Sequence, residues 1–382
     1  MTAAEAEKLV REGLEALRRG ESVAARAAFE AITVSDTSFP KPWFLLAQAC
    51  RHQGDRQAEI GALEQHLAHE RDHLPALLMM GEAKAPDDER AAAAFFTRAL
   101  SLAARATDVP QALHPMLRQA ESWLEASTRR FTEHMRTALA EAGVGAGAPP
   151  RVADAVAILL GDKQLYLQQP TMFYFPGLPQ RQFYDREEFA WLPSVEAETP
   201  VMQAELQALL AEQQEFSPYI EDSPNRPGSF NPLAGSNQWG AWYFWKQGQR
   251  MTENCARCPQ TAAVLENIPL SHVTGRSPMA LYSVLEPGAH IIPHHGALNT
   301  RLICHIPLIV PGDCALRVGN ETRAWEEGKA LIFDDSVEHE AWNRSDRTRI
   351  ILLFEIWRPE LSEAERAALA TLFEAVDLYG DG

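Results

Sequence analysis

The sequence of 382 residues contains no apolar run of about 18 residues, the length that a membrane-spanning helix needs. Residues 1–20 form a charged helical pattern and lack the apolar core of a signal peptide. We therefore expect a cytoplasmic protein with no membrane span.

Cysteine is also scarce, and its five positions are scattered: Cys50, Cys255, Cys258, Cys304 and Cys314. An odd, scattered set is unlike a disulfide framework, so reduced thiols are the simpler expectation. Cys255 and Cys258 form a C-x-x-C pair, but no second pair lies at zinc spacing and no thioredoxin-like strand precedes it. The pattern therefore disfavours both a zinc role and a redox role.

Basic residues are too few for a nucleic-acid partner. The chain has 35 Lys and Arg against 52 Asp and Glu, which gives a net charge of -17. Because binding to phosphates needs a local excess of positive charge, DNA or RNA is disfavoured. A basic or small cationic partner fits better, although the simplest explanation of the surplus is solubility.

What the sequence does contain suggests two domains. Its length exceeds what one core usually supports, and 46% apolar residues supply enough material for two. A 34-residue period aligns small residues Gly13, Ala47 and Gly81, and the first two units share turn glycines Gly20 and Gly54.

This period resembles the tetratricopeptide repeat (TPR), with about three units over residues 5–103. Residues 1–142 are predicted as a TPR-like α-helical solenoid, followed by a linker and connecting helix at 143–164. Such helix pairs usually present a surface that holds a peptide or another protein. A spacer or a dimer-forming cap is the alternative.

From about residue 165 the composition changes to aromatics, prolines and glycines, and short β-type runs separated by turns follow residue 278. Regular short strands of this kind are typical of an antiparallel barrel or jelly roll. The overall fold class is therefore α+β and multidomain, with a helical solenoid before a jelly-roll domain at 165–382.

The stretch "GAHIIPHHGALNTRLICH" holds four histidines and no carboxylate. Non-haem iron oxygenases usually bind Fe(II) through two histidines and one carboxylate, arranged as His-x-Asp/Glu plus a distant His. His294 and His339 have a suitable separation, but Gly296 stands where the carboxylate is expected. Either the site has only two protein ligands, or the barrel binds no iron.

Arg349 supports the first alternative. On the antiparallel neighbour of the strand that holds His339, an arginine can point inward and bind a dicarboxylate such as 2-oxoglutarate in bidentate fashion. Alternation places Arg349 on one face with Ile351, and Arg301 on one face with His305. Ser283 can add a hydroxyl donor to a bound carboxylate.

Residues 286–308 and 320–361 closely resemble the aspartyl/asparaginyl β-hydroxylases, and the similarity covers roughly residues 165–370. The resemblance implies a double-stranded β-helix (jelly-roll) oxygenase that uses Fe(II), 2-oxoglutarate and O2. It also implies TPR-like helices before that domain, in the order found here.

The resemblance assigns roles to individual residues. His294 and His339 would be the iron ligands. Arg349 and Ser283 would bind the distal carboxylate of 2-oxoglutarate, while His305 would act at its metal-binding end. Water would replace the carboxylate ligand.

Substrate contacts are also implied by the resemblance. Arg301 would bind the cosubstrate or the acidic side chain that is hydroxylated, and Trp245 and Gln247 match positions that contact substrate. The family usually has a second arginine two residues after the first, where this chain has Ile303. That difference puts a preference for aspartate in question.

The other histidines and the nearby carboxylates receive structural roles. His290 and His295 are predicted to be structural or rim residues, because neighbours on a strand point to opposite faces. Asp334 and Asp335 belong to "FDDS", which is predicted as a turn and not as a source of iron ligands.

The implied reaction is hydroxylation of the β-carbon of Asp or Asn in a peptide or protein, which the helical repeats would recruit. The same chemistry on a small acid or a lipid acyl chain is one alternative. A catalytically inactive, peptide-binding adaptor is another. A cupin-like metal enzyme without 2-oxoglutarate would leave Arg349 unexplained.

Overall fold

The structure is a computed structural model that describes residues 1–144, 148–221 and 231–380, without the side chains of 378–380. Part of the predicted linker, 145–147, and part of a predicted loop, 222–230, lie outside the described residues. The chain divides into two compact units, Met1–Ala153 and Asp154–Gly382, here called the helical unit and the β unit. The division falls inside segment 143–164.

The helical unit consists of consecutive helices, each packed on the next. They are α1 (Ala3–Arg18), α2 (Ser22–Thr33), α3 (Trp43–Gln53), α4 (Arg56–His69), α5 (Leu74–Lys84), α6 (Glu89–Arg105) and α7 (His114–Glu141), with a 3-10 turn at Gln111–Leu113. A further helix, α8 (Pro150–Leu159), crosses the division between the units. These elements confirm the helical pairs that the 34-residue period predicts.

Two of the aligned glycines allow close packing within a helix pair. A Cβ atom at Gly13 would lie 2.5 Å from the Phe29 ring, and one at Gly81 would lie 2.5 Å from the Phe96 ring. Gly54 ends α3 with a φ of 74°, a left-handed conformation that glycine adopts without steric cost. The 34-residue period therefore places glycine where the helices of the first and third pairs pack closely, and where the chain turns between the helices of the second pair.

The β unit contains short helices and two antiparallel sheets. Its helices are α9 (Leu192–Ala197), α10 (Thr199–Ala211), α11 (Thr252–Arg257), α12 (Pro259–Glu266) and α13 (Glu363–Gly380), with a 3-10 turn at Arg186–Glu188. Ser362 and Glu365 form the predicted capping interaction before α13.

The first five strands belong to one sheet, and the later strands pass back and forth between two sheets. They are β1 (Phe183–Tyr184), β2 (Ser217–Pro218), β3 (Trp239–Lys246), β4 (Gln249–Arg250), β5 (Ala280–Leu285), β6 (His290–His294), β7 (Arg301–Ile309), β8 (Cys314–Val318), β9 (Glu321–Ala324), β10 (Leu331–Phe333), β11 (His339–Asn343) and β12 (Arg349–Trp357). The large sheet has the order β1-β10-β7-β12-β5-β3-β2, with β4 beside β3, and the small sheet has the order β6-β11-β8-β9. This arrangement confirms the predicted antiparallel jelly roll.

Each face of the large sheet packs on a different partner. The inner cluster joins Leu281 and Ile351 of the large sheet to Leu316 and other residues of the small sheet. The outer cluster joins the opposite face to the helices, including Leu206 of α10 and Leu265 of α12. The large sheet is therefore buried on both sides, which holds its inward side chains rigidly.

Alternation along β12 confirms the predicted inward face. Arg349 and Ile351 face the space between the sheets, while Ile350 and Leu352 pack in the outer cluster. None of the described helices combines the length and the apolar character needed to cross a membrane.

Candidate functional site

A cavity between the two sheets collects six of the eight predicted site residues. Its lining includes Ser283, His294, Arg301, His305, His339 and Arg349. They come from β5, β6, β7, β11 and β12, so strand pairing alone brings them together. Much of the remaining lining is apolar, including Ile220, Met279, Ile291, Ile303, Leu316 and Leu353.

His294 and His339 are neighbours across the small sheet. The antiparallel register of β6 and β11 pairs them directly, and their ring centroids lie 4.1 Å apart. The Nδ1 atom of His294 lies 2.8 Å from the carbonyl oxygen of Ile292, and that of His339 lies 3.0 Å from that of Val337. Because a carbonyl only accepts, each Nδ1 carries the proton and each Nε2 keeps a lone pair for a metal.

Both rings are held in the neutral form that binds metals. Burial, together with the neighbouring His294, lowers the pKa of His339 to about 3. Burial also lowers the pKa of His294. Neutral imidazole is the ligand form, so the pair needs no deprotonation at neutral pH to receive a cation.

Asp335 fills the space that a side chain at position 296 would need. A Cβ atom at Gly296 would lie 2.1 Å from Oδ2 of Asp335, and the Gly296 amide donates to the Asp335 carbonyl over 2.6 Å. Across the described ranges, no set of three close ligand groups includes both His294 and His339. The geometry is therefore that of a two-histidine site with a carboxylate beside it.

Sequence reasoning placed Asp335 in a turn, and the structure confirms the turn but adds the side chain to the cavity lining. Burial raises the pKa of Asp335 to about 7, although Arg301 acts in the opposite direction. A turn pattern says nothing of where its side chains point, so the sequence offered no signal for this contact.

Arg301 is already paired within the protein. Its Nη1 lies 2.5 Å from Oε1 of Glu355, and its Nη2 lies 3.8 Å from Oδ2 of Asp335. Glu355 was not among the predicted site residues. It lies six positions after Arg349 on β12, so the alternation that identified Arg349 also places Glu355 on the inward face.

Arg349, by contrast, is buried without a counterion. The side chain is 1% exposed, its Nη1 donates to the Ser283 carbonyl over 3.3 Å, and its Nε has no partner. Its guanidinium carbon lies 4.8 Å from the centroid of the Trp325 ring. No carboxylate of the described residues forms an ion pair with it, and burial lowers its pKa to about 9. A buried, uncompensated cation of this kind favours binding of an anionic ligand.

Ser283 and His305 supply further donors near Arg349. The Ser283 hydroxyl accepts from Nε1 of Trp239 over 3.3 Å, which leaves its own proton to donate. Nδ1 of His305 accepts from Nε1 of Trp325 over 3.3 Å. Burial lowers the pKa of His305 well below its usual value, so the ring is neutral and carries its proton on Nε2.

Trp245 and Gln247 are not brought to the cavity. A β-bulge between Tyr243 and Trp245 shifts the register of β3 and turns Trp245 into the outer cluster, with Arg250 5.7 Å from its ring centroid. Gln247 is exposed in the turn between β3 and β4, with a φ of 51°. The sequence gives no sign of the bulge, because the run of aromatics shows no break in alternation.

Two aromatic residues missed by the sequence reasoning line the cavity instead. The rings of Tyr219 and Trp239 stack with centroids 4.0 Å apart at 11°. His290 and His295 lie outside the lining, and the exposed His290 pairs with Glu340 over 2.7 Å.

Comparison with known proteins finds a family match that covers the strands lining the cavity. Residues 196–359 match the family model described as aspartyl/asparaginyl beta-hydroxylase. An aspartyl/asparaginyl beta-hydroxylase of Mus musculus is 41% identical over 142 residues, which are 37% of this chain and 19% of that protein.

Two further relatives align over longer segments. An ornithine lipid ester-linked acyl 2-hydroxylase of Rhizobium tropici is 35% identical over 184 residues, 47% of this chain and 62% of the relative. The human aspartate beta-hydroxylase domain-containing protein 2 is 30% identical over 210 residues, 54% of this chain and 55% of the relative. The match thus spans less than two thirds of each of these proteins.

Proposed function

Residues 196–359 match the family model of the aspartyl/asparaginyl β-hydroxylases, and from that match we propose that this chain is a 2-oxoglutarate-dependent dioxygenase using Fe(II) and O2. The substrate proposed first is the β-carbon of an Asp or Asn residue in a peptide or protein. The TPR-like helical unit would recruit that polypeptide.

The observation that carries this proposal is the uncompensated charge of Arg349. A planar guanidinium with an unpartnered Nε suits a carboxylate bound through two parallel hydrogen bonds. Ser283 adds a hydroxyl donor on the neighbouring strand β5. The distal carboxylate of 2-oxoglutarate would satisfy all of these groups.

The two histidines fit a metal with open coordination positions. His294 and His339 would hold iron through Nε2, the atoms that their backbone hydrogen bonds leave unprotonated. When bound, iron would allow O2 to oxidise both 2-oxoglutarate and substrate, with one oxygen atom going to succinate as CO2 is released and the other converting a C–H bond to C–OH.

The remaining residues position the cosubstrate and exclude water. His305 would donate from Nε2 to the carboxylate of 2-oxoglutarate nearer the metal. The apolar lining and the stacked pair of Tyr219 and Trp239 would keep bulk water from the reacting groups. Asp335 stands beside Gly296, where it would accept a hydrogen bond from water that completes the coordination.

A second candidate substrate is a neutral one, such as a lipid acyl chain or an asparagine side chain. Glu355 and Asp335 neutralise Arg301, and Ile303 replaces the second arginine of the family pattern. With Arg349 bound to 2-oxoglutarate, no unpaired cation of the described lining would remain for an acidic side chain. The paired state of Arg301 favours this candidate over aspartate.

The proposed activity is tested by succinate release from 2-oxoglutarate with Fe(II) and O2. We expect turnover by the unaltered protein and its loss in His294→Ala and His339→Ala. His290→Ala, an exposed histidine of the same strand β6, is the matched control and should keep full activity. No turnover by the unaltered protein, together with retained peptide binding, would support the inactive adaptor instead.

The substrate class is tested by mass spectrometry for a gain of one oxygen. Matched Asp and Asn peptides and an acylated ornithine lipid serve as probes. We expect Asn peptide or lipid to be oxidised at least about tenfold faster than Asp peptide, and Ile303→Arg to raise the rate on Asp. Equal rates on Asp and Asn peptides would show that Arg301 is released from Glu355 when substrate binds.

A further inference from the structure

A second cluster of potential metal ligands lies in the helical unit, outside the cavity of the β unit. Within the described ranges, His66, Glu70 and His73 form a set whose ligand atoms all lie within 4.8 Å of one another. His66 is in the last turn of α4, Glu70 follows the helix, and His73 precedes α5. Eight consecutive residues therefore supply all three groups.

The two imidazoles carry nitrogens without hydrogen-bond partners. Nε2 of His66 and Nδ1 of His73 are both buried and unpartnered. Buried polar atoms in proteins are nearly always satisfied, so two unsatisfied nitrogens side by side need an explanation. A cation bound between them would satisfy both.

The spacing suits a small divalent metal. Nε2 of His66 lies 3.7 Å from Oε2 of Glu70, and the two imidazole centroids lie 4.5 Å apart with their planes nearly perpendicular. Two donors bound at about 2.1 Å to a tetrahedral zinc lie roughly 3.4 Å apart, close to the first of these separations. Small side-chain rotations are enough to complete the geometry.

Solvent reaches the cluster from one side. His66 and Glu70 line an open cavity beside Trp43, and the exposed His69 lines the same cavity. Phe44 packs against both imidazoles, with centroids 5.4 Å from His66 and 4.5 Å from His73. The ring shields one side of the cluster while the cavity gives a cation access to the other.

We propose that His66, Glu70 and His73 form a Zn2+ site, with water in the fourth position. Two neutral imidazoles and one carboxylate are a ligand set that zinc prefers. The metal joins the end of α4 to the start of α5 and so fixes the angle between the second and third helical pairs. This site is independent of the proposed oxygenase activity.

The alternative is that the two rings only pack on Phe44 as a small aromatic cluster. That packing accounts for the ring contacts but leaves both nitrogens unsatisfied and gives Glu70 no role. The two explanations differ in whether Zn2+ binds and stabilises the protein.

The experiment uses the full chain with His294→Ala and His339→Ala, so that the cavity of the β unit cannot bind the metal. After chelator treatment and dialysis against Zn2+, bound metal is measured by plasma mass spectrometry and affinity by calorimetry. We expect about one equivalent of Zn2+ with a Kd below about 10 μM, and a rise in the melting temperature of the helical unit.

Added replacements identify the ligands. His66→Ala with His73→Ala should abolish binding, and Glu70→Gln should weaken it at least about tenfold. Glu70 is exposed, so its replacement tests the ligand without disturbing the core. His52→Ala, an exposed histidine at the end of α3, is the matched control and should change neither stoichiometry nor Kd.

Circular dichroism establishes that each variant retains its helices. Failure of the parent variant to bind Zn2+ would overturn the proposal. The proposal would also be overturned if Zn2+ binding stayed unchanged both in the folded Glu70→Gln variant and in the variant that lacks both histidines.

Discussion

Arg349 and Arg358 are both almost fully buried in the β unit, but only one has a counterion. Arg358 forms an ion pair with the equally buried Asp334 over 2.8 Å. Arg349 lies over the Trp325 ring and has one backbone acceptor. Replacing an unpaired buried charge by an apolar side chain leaves stability unchanged or raises it, whereas removing one partner of a buried ion pair lowers it.

Arg349→Met should therefore leave the free energy of unfolding unchanged or raise it, by up to about 4 kcal/mol, because it removes an uncompensated buried charge. The same variant should lose the increase in melting temperature that 2-oxoglutarate gives the unaltered protein. Urea unfolding and thermal melts with and without 2-oxoglutarate measure both effects.

Arg358→Met is the matched control, with an expected loss of about 3–5 kcal/mol because it leaves Asp334 unpaired. If Arg349→Met were equally destabilising, the role of Arg349 would be structural and the cavity would need no anion.

Gly296→Asp tests whether the missing carboxylate can be restored. The new side chain would overlap the carboxylate of Asp335, so we expect a loss of about 1–3 kcal/mol in stability and no gain in iron affinity. Adding Asp335→Gly should recover part of the loss. Gly312→Asp has open space around its Cβ and should stay within about 0.5 kcal/mol.

Tighter iron binding by the Gly296→Asp variant, without the Asp335→Gly change, than by the unaltered protein would contradict this expectation. It would mean that Asp335 moves aside at little cost.

At the scale of elements, strict alternation of side chains holds along one strand and is broken along another. On β12 it identified Arg349 and would have identified Glu355, because the strand is regular along its inward positions. On β3 the bulge before Trp245 reverses the faces. A bulge depends on pairing with β5 and not on the residues of β3 alone, so the sequence did not reveal it.

The helical elements depend on close approach at glycine. Gly81→Ala would place a methyl group 2.5 Å from the Phe96 ring, so we expect a loss of about 1–3 kcal/mol in the stability of the helical unit. Gly61→Ala on α4 meets nothing within 4 Å and should stabilise the helix by about 0.5–1 kcal/mol.

Thermal unfolding of the two variants checks these opposite signs. A stabilising Gly81→Ala would mean that α5 and α6 can separate without cost.

The whole molecule has separate hydrophobic cores in its two units. One pair of clusters, around Phe29 and Phe96, belongs to the helical unit, and the clusters on both faces of the large sheet belong to the β unit. Units with their own cores can unfold independently, so a single free energy of unfolding does not describe the chain.

Calorimetry should therefore resolve two unfolding transitions. Anaerobic Fe(II) with 2-oxoglutarate should raise only the transition of the β unit, by about 2–4 °C for each kcal/mol of binding free energy. Gly81→Ala should lower only the other transition, which assigns the two peaks. One transition that shifts as a whole with either change would show that the units unfold together.

The sequence by itself determined the helical period, the antiparallel β class and six of the residues that meet in the cavity, because periodicity and spacing are local properties of the chain. Only the tertiary structure decided which charges remain uncompensated. Arg301 and Arg349 look alike in sequence, and pairing across strands gives one of them Glu355 and leaves the other without a carboxylate. Likewise, only the structure shows that the carboxylate of Asp335 occupies the space beside Gly296, where the carboxylate ligand is missing. A turn between β10 and β11 brings Asp335 there.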